Sequence, residues 1–167
     1  MDHDLLATLL HVTRARLLRD YPEQITTCLD ALTDEEIWWR PHDQANAVAN
    51  LVLHLAGSNR YYLEQVMGGR DVGRDRAAEF AARGGVSKAK VADAWEEARR
   101  AAERVLDTIE PAQLAETTDR TGKVTTYAQI LLHVTHHNAA HMGQIVWITK
   151  MLRPGAIDDI WVRQTQR

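Results

Sequence analysis

The chain has 167 residues, 45% of them hydrophobic and 26% charged, a net charge of −3 and one cysteine, Cys28. That length suits one domain around a single core, so one domain over residues 1–167 is expected. The acidic balance argues against a nucleic-acid partner, the lone cysteine and the lack of an opening secretory pattern point to the cytoplasm, and no apolar run reaches the ~20 residues a membrane span needs.

The pattern is helical almost throughout. A first helix is predicted from about Asp4 to Ala31, with Leu6, Leu9, Leu10, Leu17, Tyr21, Ile25 and Cys28 as its apolar positions. Thr33 and Glu36 form a capping box that opens a short helix. Pro41 ends it, because proline disfavours helical geometry in the residue before it. A second helix runs from about Ala45 to Met67 on the stripe Val48, Leu51, Leu55 and Tyr62, and Gly68-Gly69 stops it. Arg70 to Gly85 is charged and glycine-rich, a long connection with a short helix at 77–83. Ser87 caps a third helix, striped by Val91, Trp95, Ala98, Ala102, Val105 and Ile109 at bundle spacing. Pro111 begins a short turn, and Thr121-Gly-Lys123 reads as a tight turn. Thr126 and Gln129 make a second capping box for a fourth helix, which runs to about Leu152 and stops before Pro154-Gly155. Ile160, Trp161 and Val162 give the tail apolar anchors. The expected fold is all-α: a four-helix bundle with at least one long crossover connection.

The fourth helix carries His133, His136, His137 and His141 within nine residues. At ~3.6 residues per turn, His137 and His141 share a face one turn apart. They continue the stripe of Ile130, Val134, Ile145, Ile148 and Leu152, so both are expected to point inward. His133 lies near the same face, and His136 is rotated to the flank. A third inward histidine, His54, falls on the buried side of the second helix. One ligand from the second helix and two from the fourth would make a three-histidine metal site with an open position, the catalytic rather than the structural pattern. Taken singly, each histidine is better read as a satisfied core group; spacing alone leaves the two readings balanced.

Neighbouring positions offer candidate catalytic groups. Gln144, seven after His137, would hold a ligand or orient a water, or sit as a polar edge residue. Tyr61, seven after His54, is a proton donor or a half-buried packing residue. His133 is a fourth ligand, a general base or a buried group. Gly143 in mid-helix costs ~1 kcal/mol relative to alanine, and close helix packing is the expected reason.

Several segments resemble the DinB/YfiT-like superfamily: LTDEEIWWRP, ANAVANLVLHLAGSNRYYL, GRDRAAEF and LLHVTHHNAAHMGQIVWITKMLR. The most specific part is a histidine followed four residues later by His-x-Gly-Gln, here His137 and His141-Met-Gly-Gln144. The HLAG run at His54 is the second anchor. Where relatives often have asparagine directly after HLAG, this chain has Ser58 and then Asn59. The resemblance implies a right-handed four-helix bundle with a long crossover connection after helix two, and often a homodimer. It implies that His54, His137 and His141 bind a divalent metal, zinc or nickel. It also implies a small-molecule substrate and thiol-dependent transferase chemistry with a low-molecular-weight thiol. The alternatives are a metal-dependent hydrolase that activates water, and a non-enzymatic metal-binding stress protein.

Overall fold

The computed structural model describes residues 3–160. It is mostly helical, with five helices beside a single two-residue pair of strands among the described residues. The first helix, α1, runs His3–Ala15, passes through a π-helical stretch Arg16–Asp20, and continues as Tyr21–Ala31. The second, α2, is Val48–Asn59 followed without a break by a π-helical Arg60–Met67. A short α3, Arg76–Ala81, lies in the connection that follows. Then come α4, Lys88–Leu106, and α5, Tyr127–Leu152. The helices α1, α2, α4 and α5 pack on one another around one buried apolar cluster.

The capping signals form as the sequence requires. Thr33 and Glu36 exchange side-chain-to-backbone hydrogen bonds, and Thr126 and Gln129 do the same at the head of α5. Each satisfies backbone N–H groups that a helix start leaves orphaned. The Ser87 hydroxyl accepts from Lys90 N–H. Ile160 is buried, as its apolar side chain suggested, and so is Ile157. Trp161 and Val162 lie outside the described residues.

Three expectations need correction, and the expected tight turn proves to close a hairpin. The segment 33–38 holds only a 3₁₀ turn, Glu36–Trp38. The tight turn at Gly122, which has φ of +84°, closes a small hairpin, Thr117–Thr118 with Thr125–Thr126, too short for any period to announce. In α4 the stripe passes from Ala102 to Leu106, which is fully buried, leaving Val105 half-buried. The helix ends at Leu106, so Ile109 lies past the point where helical spacing applies. In α5 the fully buried line is Val134, Asn138, Met142 and Ile145. His137 and His141 stand one residue off that line and are half-buried at its edge.

Candidate metal centre

The site lies where the edge of α5 meets α2 and the folded-back α3. His54 is buried on α2, with 5% exposure. Its Nε2 is 3.0 Å from His137 Nε2, and His141 Nε2 is 3.1 Å from the same atom. The ligand atoms of all three lie within 4.8 Å of one another, so the three histidines can hold a metal ion. The spacing suits that role: a tetrahedral ion ~2.0–2.1 Å from each nitrogen asks for nitrogens about 3.3 Å apart.

The far nitrogens fix the tautomers. His54 Nδ1 lies 2.9 Å from Glu79 Oε2 and 3.2 Å from Arg74 Nη2, and the nearer carboxylate, which can only accept, takes an Nδ1–H; His141 Nδ1–H donates to Gln144 Oε1 at 2.8 Å. A ring that donates through Nδ1 presents an unprotonated Nε2. His137 Nδ1 faces the Ser58 hydroxyl at 3.5 Å. Burial, reinforced by the neighbouring His141 and His54, lowers the His137 pKa to about 4. Burial also lowers the His141 pKa. Both rings are therefore neutral in neutral solution, the form that ligates metal.

Behind His54 stands a group that sequence reasoning missed. Glu79 comes from α3, in the stretch read as a connection. Arg74 grips it twice, through Nε at 2.7 Å and Nη2 at 2.8 Å. Burial alone would raise the Glu79 pKa, but the hydrogen bonds from Arg74 and His54 win and hold it low. Asn50, fully buried on α2, anchors this segment: its amide donates to the carbonyls of Glu79 at 2.9 Å and Ala82 at 3.0 Å. Gly57 makes the approach possible, since a Cβ there would overlap Glu79 Oε1. The glycine of HLAG is thus the signal that could have located a partner packed against α2. Asn59, the position displaced by one from the family pattern, pairs reciprocally with buried Asn138 at 3.2 and 2.7 Å and ties α2 to α5 beside the histidines.

The remaining candidates are placed as follows. His133 is exposed and stacks on His137, ring centroids 5.6 Å apart, and meets Tyr62 edge-on at 4.7 Å. Partial desolvation by the rings packed on it, then the charges of His136 and Lys123, lower its pKa. Tyr61 packs edge-on to Tyr62 at 5.0 Å, half-buried. Gln144 is exposed, and its Oε1 accepts from His141 Nδ1. His136 is exposed. A Cβ at Gly143 would meet nothing within 4 Å, so close packing of the described residues does not explain that glycine. Cys28 is fully buried, and burial pushes its thiol up to about 11, which removes it as a nucleophile. No described helix is long and apolar enough to cross a membrane.

The fold and the site place the chain among helical proteins with a possible three-histidine metal site. It belongs to the family described as "Protein of unknown function (DUF1572)", whose profile matches residues 5–165. Among solved structures it is similar to a conserved protein from Enterococcus faecalis, at 18% identity and a TM-score of 0.67, covering 84% of this chain and 94% of that one. At that identity the likeness concerns the fold. No functionally curated protein sequence matches the chain.

Proposed function

We propose that this chain is a DinB/YfiT-like four-helix bundle, one domain throughout, and a metal-dependent S-transferase that joins a low-molecular-weight thiol, through its sulfur, to an electrophilic small molecule. The observation that carries this is the convergence of three Nε2 atoms, two of them in rings whose Nδ1–H is already committed to an acceptor. The lone pairs of His54 Nε2 and His141 Nε2 both face His137 Nε2, an arrangement that a cation among the three would satisfy, and imidazole suits zinc and nickel. His54, His137 and His141 would hold the ion. Such an ion supplies Lewis-acid chemistry, favouring the thiolate form of a bound thiol.

The chain's own residues then bind, orient and exclude. Glu79 and Gln144 keep two ligand rings in register. Phe80 covers one side of the His54 ring at 4.5 Å between centroids. His133 and Tyr61 border the cleft beside the site and are the groups positioned to move a proton. The thiol must come from outside, because the only cysteine is sealed in the core. Hydrolysis is the weaker reading. Among the described residues no carboxylate lines the cleft, and the adjacent Glu79 is bound by Arg74, so a general base for water would rest on His133 alone. The resemblance adds a homodimer to the proposal; Leu132, Trp147 and Met151 are exposed apolar surface on α5 that such an assembly would cover.

The test is adduct formation. Glutathione, bacillithiol and mycothiol are offered with a panel of electrophiles, with zinc- or nickel-loaded protein and with the metal-stripped protein. Thiol adducts should form faster with the loaded protein than with either the stripped protein or free metal. Equal rates in all three would refute the transferase reading; substrate turnover without thiol would favour the hydrolase.

A further inference from the structure

Beside the histidines lies a cleft of about 470 Å³, within the ~300–1,000 Å³ typical of small-molecule sites. His54 and His137 line one part of it and Tyr61, Tyr62 and His133 another. Its charge is one-sided. Two arginines, Arg74 and Arg76, line it and no acidic residue does.

The two arginines differ. Arg74 is spent: its guanidinium is bidentate on Glu79, and it leans over the Tyr61 ring at 5.9 Å. Arg76 is exposed and makes no ion pair or hydrogen bond among the described residues. Its guanidinium rests on the Phe80 ring, 5.1 Å from the centroid. Phe80 in turn lies against His54, so one ring separates the unpaired cation from a histidine of the metal site. Tyr61 and Tyr62 also line the cleft, and their hydroxyls make no hydrogen bond among the described residues. A planar guanidinium fork resting on an aromatic face, near tyrosines with unpaired hydroxyls, is the chemistry that recognises carboxylate.

We propose that this cleft is an anion subsite that takes a small carboxylate-bearing ligand, with the carboxylate on Arg76 and the Tyr61 and Tyr62 hydroxyls and a metal-binding head directed to His54 and His137. The head-group half rests on the metal reading above; the anion half does not. Among thiols, the subsite selects those that carry a carboxylate over neutral ones of the same length.

Two titrations test it. Succinate is titrated into metal-stripped protein, wild type against Arg76→Gln, with Arg76→Lys as the conservative variant. Arg83→Gln removes the same charge from the same segment at a residue that does not line the cleft. Loss of one charge-assisted contact should weaken succinate about tenfold in Arg76→Gln, less in Arg76→Lys and not at all in Arg83→Gln. In cobalt-loaded protein, read by the thiolate-to-cobalt absorption band, 3-mercaptopropionate should bind about tenfold tighter than 2-mercaptoethanol. In Arg76→Gln that preference should vanish while 2-mercaptoethanol is unchanged. Equal succinate affinity in wild type and Arg76→Gln, or equal losses in Arg76→Gln and Arg83→Gln, overturns the subsite. A carboxylate preference that survives in Arg76→Gln overturns it too. Protein that takes up no cobalt yet binds succinate through Arg76 sinks the metal reading and the head-group half, and leaves the anion subsite standing.

Discussion

Two polar clusters lie on the flanks of this helical protein, and they are satisfied in different ways. One surrounds Glu64, 4% exposed on the π-helical end of α2. Arg60 bonds it at 2.8 Å, Arg70 at 2.9 Å and Arg104 at 3.3 Å. Burial would raise its pKa, but Arg60, Arg70 and Arg104 together hold it low. That cluster is closed: a buried acceptor meets donors supplied by the chain. The other is the histidine cluster, where Glu79 and Gln144 satisfy the outer nitrogens and three inner nitrogens face one another. Among the described residues those inner nitrogens meet only one another. The difference separates a cluster whose charge is met within the fold from one that can hold a cation.

The comparison breaks most sharply under added metal. At a hundredfold excess over its dissociation constant, zinc or nickel should stabilise the protein by about 2.7 kcal/mol. For a chain of this length that is roughly 5–10 °C in Tm. Calorimetry should show that gain in wild type and in Glu64→Gln, and no gain in His54→Ala. An equal rise in all three would mean the metal binds elsewhere.

Next in size is the support behind His54. Glu79→Gln removes the carboxylate that fixes the Nδ1–H tautomer, and should weaken metal affinity by about 10–100-fold without unfolding the chain. Gly57→Ala should give a similar loss by a different route, because its methyl group displaces Glu79 from α2. Competition against a chromophoric chelator reads both. Wild-type affinity in Glu79→Gln would show that the ion pair is structural only.

The closed cluster should respond to acid instead. Glu64 has a folded pKa below its unfolded value of ~4.3. Its contribution is therefore present above pH ~4.3 and lost as pH falls through the lower, folded pKa. Glu64→Gln should destabilise the protein by about 1–3 kcal/mol at neutral pH, and the gap should narrow in acid, as urea titrations at several pH values would reveal. A gap independent of pH would contradict the assignment. The smallest effect is expected at Gln144, which is exposed: Gln144→Leu should cost only a few-fold in metal affinity.

The helices and their caps were legible because they are local. Thr33 with Glu36, Ser87, and Thr126 with Gln129 specify helix starts within four residues. The histidine convergence was legible in part, since His137 and His141 share a turn and His54 sits in an apolar stretch. Which face those two rings take was misread by one residue, because the buried line runs through Asn138 and Met142, and a polar Asn at a core position hides the stripe. Glu79 was invisible for another reason. It reaches His54 through a segment folded back onto α2 and held there by Asn50, and nothing in the local pattern of residues 70–85 specifies that long-range contact.

The central claim is that His54, His137 and His141 hold a divalent metal. Elemental analysis of the purified protein beside a His137→Ala variant, both prepared in metal-replete conditions, tests it most directly. The account predicts about one zinc or nickel ion per chain in the wild type and essentially none in the variant. Equal metal content in the two, whether none or one, would contradict it.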